Sequence, residues 1–405
     1  MSLPPEKSPN AALQQLNAPA RGFPDTEYQA RTERVQAALR SRSLDALLLT
    51  TEAEIRYITG FHTQFFESPT RPWFVIVPIN ELPIAVIPEI GASGMASTWV
   101  RDIRTWPSPQ PEDDGISLLA STLCDLPHRF GQIGVPLGQE SLLRMPVGDY
   151  HLLGKQVSPL DLVDAADLMH KLRFVKSPLE IEKIRYACVL TSTAFNALPD
   201  QITTGESERD ICRKLRIDLL QRGADTSPYI VAGSGQGGYD SIIMGPSDKT
   251  VAAGDVLIID TGTTFDGYFC DFDRNFAFEY LSDDVRRAHD TVYQATEAGF
   301  EAAHPGATTA DVWAAMWAVL EDGGALANNV GRMGHGLGMQ LTEWPSVRAG
   351  DDTPLSPGSV ITLEPGMTFA PGKQLVHEEN IAITEDGARY LSLRASAEMP
   401  VVTNC

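Results

Sequence analysis

Acidic side chains stand where the second half of this chain is otherwise most apolar, and that placement restricts the folds open to it. Val256-Leu-Ile-Ile-Asp260-Thr-Gly262 reads as a buried strand that ends in an aspartate and a glycine turn. Gly267 to Phe278 is also strand-like, and alternation puts Phe269, Asp271 and Asp273 on one face with Arg274 on the other. Glu364 closes the apolar run Val360 to Leu363, and Glu378 precedes the strand Asn380 to Thr384. His335 lies in Gly334-His335-Gly336-Leu337-Gly338, where backbone can approach a ligand closely. Buried acids are costly unless a cation or a hydrogen-bond donor satisfies them. Singly, each residue has an ordinary reading as a turn cap or a satisfied core group. Together, Asp260, Asp271, His335, Glu364 and Glu378 form a donor set suited to a pair of hard or borderline divalent cations.

At 405 residues, 43% apolar and 21% charged, the chain suits a soluble protein of two domains. Its apolar runs are too short to span a membrane. The N-terminal MSLPPEKSPN lacks a basic region followed by an apolar one, so a cytoplasmic protein is expected. Cys124, Cys188, Cys212, Cys270 and Cys405 are scattered and read as reduced thiols. A net charge of −21 disfavours nucleic acid and anionic membrane as partners.

Residues 1 to about 25, rich in Pro, Asn and Ala, read as a loosely held arm. A helix over Thr32 to Arg42, strands at Asp45 to Thr50, Trp73 to Pro78 and Pro83 to Pro88, and α/β alternation from Gly134 to Asp164 predict a first domain over 1–170. Ser177-Pro178-Leu-Glu180 combines an N-cap, a first-position proline and a capping-box acid, so a long helix opens the second domain, 171–405. Further helices are expected at Glu206 to Arg222 and Ser282 to Ala303, with strands at Tyr229 to Ala232 and Asp255 to Asp260. The glycine-dense segment Val231 to Tyr239 lacks the Lys-Ser/Thr of a phosphate loop and is expected to wall a cleft.

From about Leu172 to Thr384 the chain resembles the pita-bread metallohydrolases, a family that includes Xaa-Pro aminopeptidase, prolidase, methionine aminopeptidase and creatinase. The matching pieces are Lys-Ser-Pro-x-Glu180, Asp260-Thr-Gly, Gly-Tyr-x-x-Asp271-x-x-Arg-x-Phe276, His335-Gly-Leu-Gly, Leu-Glu364-Pro-Gly and Glu378. The resemblance implies an α/β protein of two domains, an N-terminal creatinase-like α/β domain and a C-terminal pita-bread α+β catalytic domain. It implies a dinuclear metal site, with Asp271 and Glu378 bridging, Asp260 on one ion, and His335 and Glu364 on the other. Glu364 would also handle the proton of the attacking water. Mn²⁺ is the preferred ion; Fe²⁺, Co²⁺ and Zn²⁺ accept the same donors. A homodimer is implied as well. Arg71, in Arg71-Pro-Trp73, is similar to the creatinase arginine that holds a substrate carboxylate with a planar fork. Tyr239 and Trp344, with Phe65 and Phe66, are candidate pocket walls.

The pattern is broken in places. The proline-specific members carry two further histidines; the matching positions here are Ile243, seventeen residues before Asp260, and Thr342, seven after His335. Loss of one such donor typically costs about 2.7–4 kcal/mol in the transition state. Asp273 replaces a small hydroxyl residue and adds a carboxylate. The expected function is therefore a dinuclear metal-dependent hydrolase of the Xaa-Pro peptidase family. It would cleave an amide or related C–N bond in a small carboxylate-bearing molecule or short peptide, with Glu364, Asp273 and Thr342 as catalytic candidates. One alternative is a lyase of the dimethylsulfoniopropionate type, whose Asp-Glu-Trp-Pro segment Thr342-Glu343-Trp344-Pro345 resembles. A non-catalytic pita-bread module is another, and the full ligand set argues against it.

Overall fold

Short apolar runs bracketed by turn residues build a sheet in the N-terminal part of the chain. In this computed structural model, residues 17–328 and 331–403 are described; most of the expected arm and Cys405 lie outside them. Ala46–Leu49 (β1) is buried throughout, as a central strand requires. Phe74–Pro78 (β2), Ile84–Pro88 (β3), Asp102–Trp106 (β4), Gln132–Val135 (β5) and Asp161–Asp164 (β6) complete a mixed sheet of order β4-β3-β2-β1-β5-β6. The first helix, Asp25–Arg42, starts earlier than the expected Thr32. Its buried face carries Tyr28, Arg31 and Thr32 besides Val35 and Leu39, so polar residues mask the stripe. Arg31 is satisfied there by Glu27, by the Tyr57 carbonyl, and by the rings of Phe23 and Tyr57 at 4.3 and 4.4 Å.

One side chain organises the 65–71 segment. Arg144 donates to the carbonyls of Phe65, Phe66, Ser68, Thr70 and Arg71. Arg71 itself is left-handed, with φ of 58°, and its buried Nε has no hydrogen-bond partner among the described residues.

Two compact units meet in sequence between Arg173 and Phe174. In the second, Ser177 caps the helix Pro178–Ala197 with the expected box, Glu180 reaching back to the Ser177 N–H at 2.9 Å. Helices Glu208–Gln221 and Asp283–Ala302 follow with serine caps. A further helix, Thr309–Asp322, is absent from the sequence reading because Val312-Trp-Ala-Ala-Met-Trp-Ala-Val-Leu320 is apolar on every face and shows no stripe. Thr226–Gln236 (β7), Asp255–Phe265 (β8), Tyr268–Phe269 (β9) and Phe272–Phe278 (β10) form one sheet, closed by a C-terminal strand. His335–Gly336 (β11), Glu343–Ser346 (β12), Val360–Leu363 (β13), the hairpin of Gly366–Ala370 (β14) and Lys373–Val376 (β15), Glu379–Ile383 (β16) and Ala388–Tyr390 (β17) follow. The second sheet runs β12-β11-β13-β16-β17, and Val401–Val402 (β18) is the strand that pairs with β10. Among the described residues no helix is long and apolar enough to cross a membrane.

Two strand expectations are corrected. β8 does not end in a glycine turn after Asp260; it runs on to Phe265. Gly262 permits this, because a Cβ there would lie 1.8 Å from the Cys270 carbonyl oxygen. The strand expected over 267–278 breaks at Cys270 and Asp271, although its register against β8 is kept on both sides. Asp271 turns its backbone to the Asn380 amide instead, its N–H donating to Oδ1 at 3.0 Å and its carbonyl accepting from Nδ2. The glycine segment is likewise ladder: Gly233 and Gly235 face Ile258 and Val256.

His289, on Asp283–Ala302, is 5% exposed, and neither ring nitrogen has a hydrogen-bond partner among the described residues. Burial lowers its pKa to about 4; Asp290 opposes this and Arg394 assists it. A depressed histidine means that the folded state binds fewer protons, so stability is lost as pH falls from about 6.5 to about 4. Chemical denaturation across that window should show His289→Phe losing on the order of 3 kcal/mol less than the wild type. Gly262→Ala should lower stability by about 1–3 kcal/mol or more through overpacking, read as a fall in the thermal midpoint.

Candidate metal centre

Sheet register brings the acids together. Across β8 and β10, Asp273 faces Asp260; across β7 and β8, Val231 faces Asp260 and Tyr229 faces Gly262. Facing residues share a side of the sheet, so Tyr229, Asp260 and Asp273 project the same way, and Asp271, two residues before Asp273, joins them. The second sheet supplies His335 from β11, Glu364 just past β13 and Glu378 just before β16. Gly334, at φ of 142°, lets β11 close on β13: a Cβ there would lie 2.2 Å from the Thr362 carbonyl oxygen.

Asp271, His335 and Glu378 each offer a donor atom within 4.8 Å of the others, and all three are buried. His335 Nε2 lies 3.3 Å from Asp271 Oδ2. Its Nδ1 is 2.8 Å from the Gly336 carbonyl, an acceptor only, which assigns the proton to Nδ1 in the neutral ring and leaves Nε2 as a bare lone pair. Asp260 and Glu364 flank this trio. The Tyr229 hydroxyl donates to Asp271 and is 3.5 Å from Asp260 Oδ1. Arg332 Nε is 3.5 Å from Glu364 Oε1.

Electrostatics describe an overcrowded set. Burial first, then the charges of their neighbours, push Asp260 and Glu378 well above the ordinary carboxylate range. Burial does the same to Asp273, with Arg274 opposing and Glu379 and Glu364 assisting. Glu364 is raised by burial against the pull of His335 and Arg332. For His335, burial works downward, but the hydrogen bond to Asp271 and the charges of Glu364 and Asp271 outweigh it and the pKa rises. No ion pair reaches Asp273 among the described residues: Asn275 Nδ2 donates to Oδ1 at 3.2 Å, and Oδ2 has no partner. Glu378 Oε1 is also unpartnered. Arg274 does not neutralise them, because it donates to the Asp273 and Glu378 carbonyls and to Glu379. Orphaned carboxylate oxygens beside a bare imidazole nitrogen fit divalent cations.

Other expected residues are spread more widely. Tyr239 is corrected from pocket wall to core: it is 1% exposed, and its hydroxyl donates to Asn275 and accepts from the Val376 N–H. The reason is register, since β7 ends before Tyr239 and the chain folds back to bridge Gln374. Trp344 is half-buried against the edge of Phe174 at 5.4 Å. Thr342 is exposed and accepts from Arg332 at 3.4 Å, while its neighbour Glu343 is buried and paired with Lys176 at 3.2 Å. Ile243 is 80% exposed. Arg71 belongs to the other compact unit. A cleft of about 520 Å³ does open along Gly233 to Gly238, lined by Glu208, Ser247, Lys249 and Lys373, but no member of the acidic set lines it. Donor chemistry, not volume, locates this site. Sequence reasoning missed Tyr229, Arg332 and Asn380. Only Tyr229 had a signal, its even spacing from Val231 on a strand that faces Asp260.

Residues 182–385 match the model of metallopeptidase family M24, and residues 31–175 match the creatinase/prolidase N-terminal domain. The probable dipeptidase PepE of Mycobacterium tuberculosis is 29% identical over 372 residues, 91% of this chain and 95% of that protein. An Xaa-Pro dipeptidase of Pyrococcus horikoshii is 29% identical over 354 residues, covering 86% and 93%. Among solved structures, dipeptidase PepE from Mycobacterium ulcerans superposes with a TM-score of 0.82 at 26% identity, covering 95% of this chain and all of that one. Prolidase from Thermococcus sibiricus, with a TM-score of 0.83 at 22% identity over 94% of this chain and all of that one, shares the fold. These peptidase relatives do not favour the lyase or the non-catalytic alternative. The chain belongs to metallopeptidase family M24, a family of divalent-metal hydrolases, and carries the creatinase/prolidase domain in front of the peptidase domain.

Proposed function

We propose that this protein is a two-metal hydrolase that cleaves the amide of a dipeptide or a similarly small, carboxylate-bearing substrate. The observation that carries the reading is the buried convergence of Asp271, His335 and Glu378, flanked by Asp260 and Glu364, with Glu378 Oε1 and the nearby Asp273 Oδ2 lacking any hydrogen-bond partner among the described residues. These five residues would hold the ions, with Mn²⁺ preferred over Fe²⁺, Co²⁺ and Zn²⁺. When bound, such a pair supplies an activated water and polarises the scissile carbonyl. Glu364 would take the proton of the attacking water and return it to the departing nitrogen. Tyr229 keeps its proton, because burial and the neighbouring carboxylates push its pKa well up, so its hydroxyl stays a donor to Asp271. Asp273 would add negative charge behind Asp260, Trp344 and Thr342 would border the substrate, and Arg71 would grip a carboxylate. The relatives named as dipeptidases support the substrate class. A cytoplasmic location is part of the same reading, supported by the cysteines Cys124, Cys188, Cys212 and Cys270, which form no disulfide, and so is a homodimer, which rests on the family resemblance alone.

Turnover of a panel of dipeptides, including Xaa-Pro, by the Mn²⁺-loaded protein tests this reading. Glu364→Gln should lower kcat about 10²–10⁴-fold, the usual worth of a general acid–base. A protein that binds no divalent ion and hydrolyses no member of the panel would refute it. Metal should also govern stability. The raised carboxyls and His335 mean that the metal-free folded state binds more protons than the unfolded chain. The stability these groups lend in chelator should therefore be lost as pH rises above the ordinary carboxylate range, and added Mn²⁺ should raise the thermal midpoint more at higher pH.

A further inference from the structure

Among the described residues only two buried carboxylate oxygens lack a hydrogen-bond partner, Glu378 Oε1 and Asp273 Oδ2. Glu378 belongs to the five-residue donor set; Asp273 does not, although it is only 2% exposed. Its two oxygens are held differently. Oδ1 accepts from Asn275 Nδ2 at 3.2 Å, and that amide is itself fixed. Asn275 Nδ2 also donates to the Val376 carbonyl at 2.7 Å, and Asn275 Oδ1 accepts from the Tyr239 hydroxyl at 3.0 Å. Oδ2 is left bare. One anchored oxygen and one bare oxygen is the pattern of a ligating carboxylate, which is held in turn by an outer hydrogen bond. The position agrees with this. Asp273 is directly opposed to Asp260 across β8 and β10, and facing residues of a ladder have Cβ atoms about 4.5–5.5 Å apart. It also lies beside Glu378, since Arg274 Nη1 donates to the Asp273 and Glu378 carbonyls alike, at 2.7 and 2.9 Å. The charge of Asp273 helps to raise both Asp260 and Glu378.

Resting on the two-metal reading, we infer that Asp273 is a sixth donor to the metal pair, through Oδ2, beside Asp260 and Glu378. A cation satisfies Oδ2 where no protein group does. Arg274 does not take that part, because its guanidinium is engaged by main-chain carbonyls and by Glu379. A cavity of about 90 Å³ also borders Asp273, with His289 and His377 in its lining, so a water there is the rival partner for Oδ2. With Asp273 included, five carboxylates and one imidazole face two divalent ions. The centre is then richer in oxygen and in negative charge than the five-residue set. Hard cations gain most from an added carboxylate, so Asp273 tilts the centre toward Mn²⁺ relative to Zn²⁺.

Metal binding, not turnover, tests the assignment. The wild type is stripped with chelator, reloaded with Mn²⁺ and crystallised, and anomalous scattering locates the ions. Asp273 Oδ2 should lie in coordination contact with one of them. In parallel, Mn²⁺ and Zn²⁺ are titrated calorimetrically into stripped wild type, Asp273→Asn and Asp273→Thr, and bound ions are counted by elemental analysis. Both variants should bind Mn²⁺ about tenfold or more weakly. Their ratio of Mn²⁺ to Zn²⁺ affinity should fall by about threefold or more. In chelator their thermal midpoints should equal or exceed that of the wild type, because an acid facing Asp260 is gone. An unchanged Mn²⁺ affinity, or an unchanged ratio, would overturn the assignment. So would ions seated among Asp260, Asp271, His335, Glu364 and Glu378 with Asp273 Oδ2 bonded to water in the small cavity; the two-metal reading would then stand without its sixth donor. A wild type that binds no divalent ion would sink both together. Should a variant fail to fold, the contact seen in the wild-type crystal decides alone.

Discussion

Like charges facing each other across adjacent strands are unfavourable, yet Asp260 and Asp273 are directly opposed on β8 and β10, with Asp271 beside them. What holds that register is the other side of the same ladder. Leu257, Ile259, Phe272 and Phe276 are almost fully buried there, and Phe195 of the helix Pro178–Ala197 packs on both phenylalanines, with ring centroids 5.8 and 6.3 Å apart. A slip of one residue would exchange the acids with these apolar side chains and expose the pattern on both faces. The hydrophobic underside therefore enforces an electrostatic conflict above it, and the donor set draws its affinity for cations from that conflict.

Backbone anchors complete the arrangement. The Asn380 amide clamps the peptide of Asp271, and Arg274 reaches across to the Glu378 carbonyl. The two carboxylates offered to a shared centre are thus tied to each other through the supports of their main chains. Glu379, adjacent to Glu378 but on the opposite side of β16, takes Arg274 and Arg394 as its own partners. Neighbouring glutamates at the entry to β16 are thereby turned to opposite sides, one toward the donor set and one toward the arginines.

How much of this was legible beforehand depended on the range of the interaction. The capping box at Ser177 and the helices after Ser207 and Ser282 are local, and the sequence states them in a few residues. The acids in apolar strands were legible as well, because burying them demands an explanation. The course of β8 beyond Asp260 was not, because Gly262 signals a turn until its close contact with Cys270 is known. Tyr239 looked like a pocket wall because an aromatic after glycines fits one; its burial follows from a bridge to Gln374, far along the chain. Arg332 escaped notice for the opposite reason. Nothing around it in sequence is acidic, and its meaning comes from Glu364, brought near by pairing between strands.

Arg144 illustrates a different consequence, in the first compact unit. Five carbonyls of the 65–71 segment converge on a single guanidinium, so their satisfaction is shared and cannot be lost piecemeal. Burial lowers the pKa of that group, with Glu52 opposing, which places it in partly dry surroundings. Should the arginine withdraw, several peptide oxygens would need water together, and the left-handed Arg71 would lose the contact to its carbonyl. Segments tied through one knot open as a unit, and amide exchange along this stretch is then a collective event whose rate reports on one side chain.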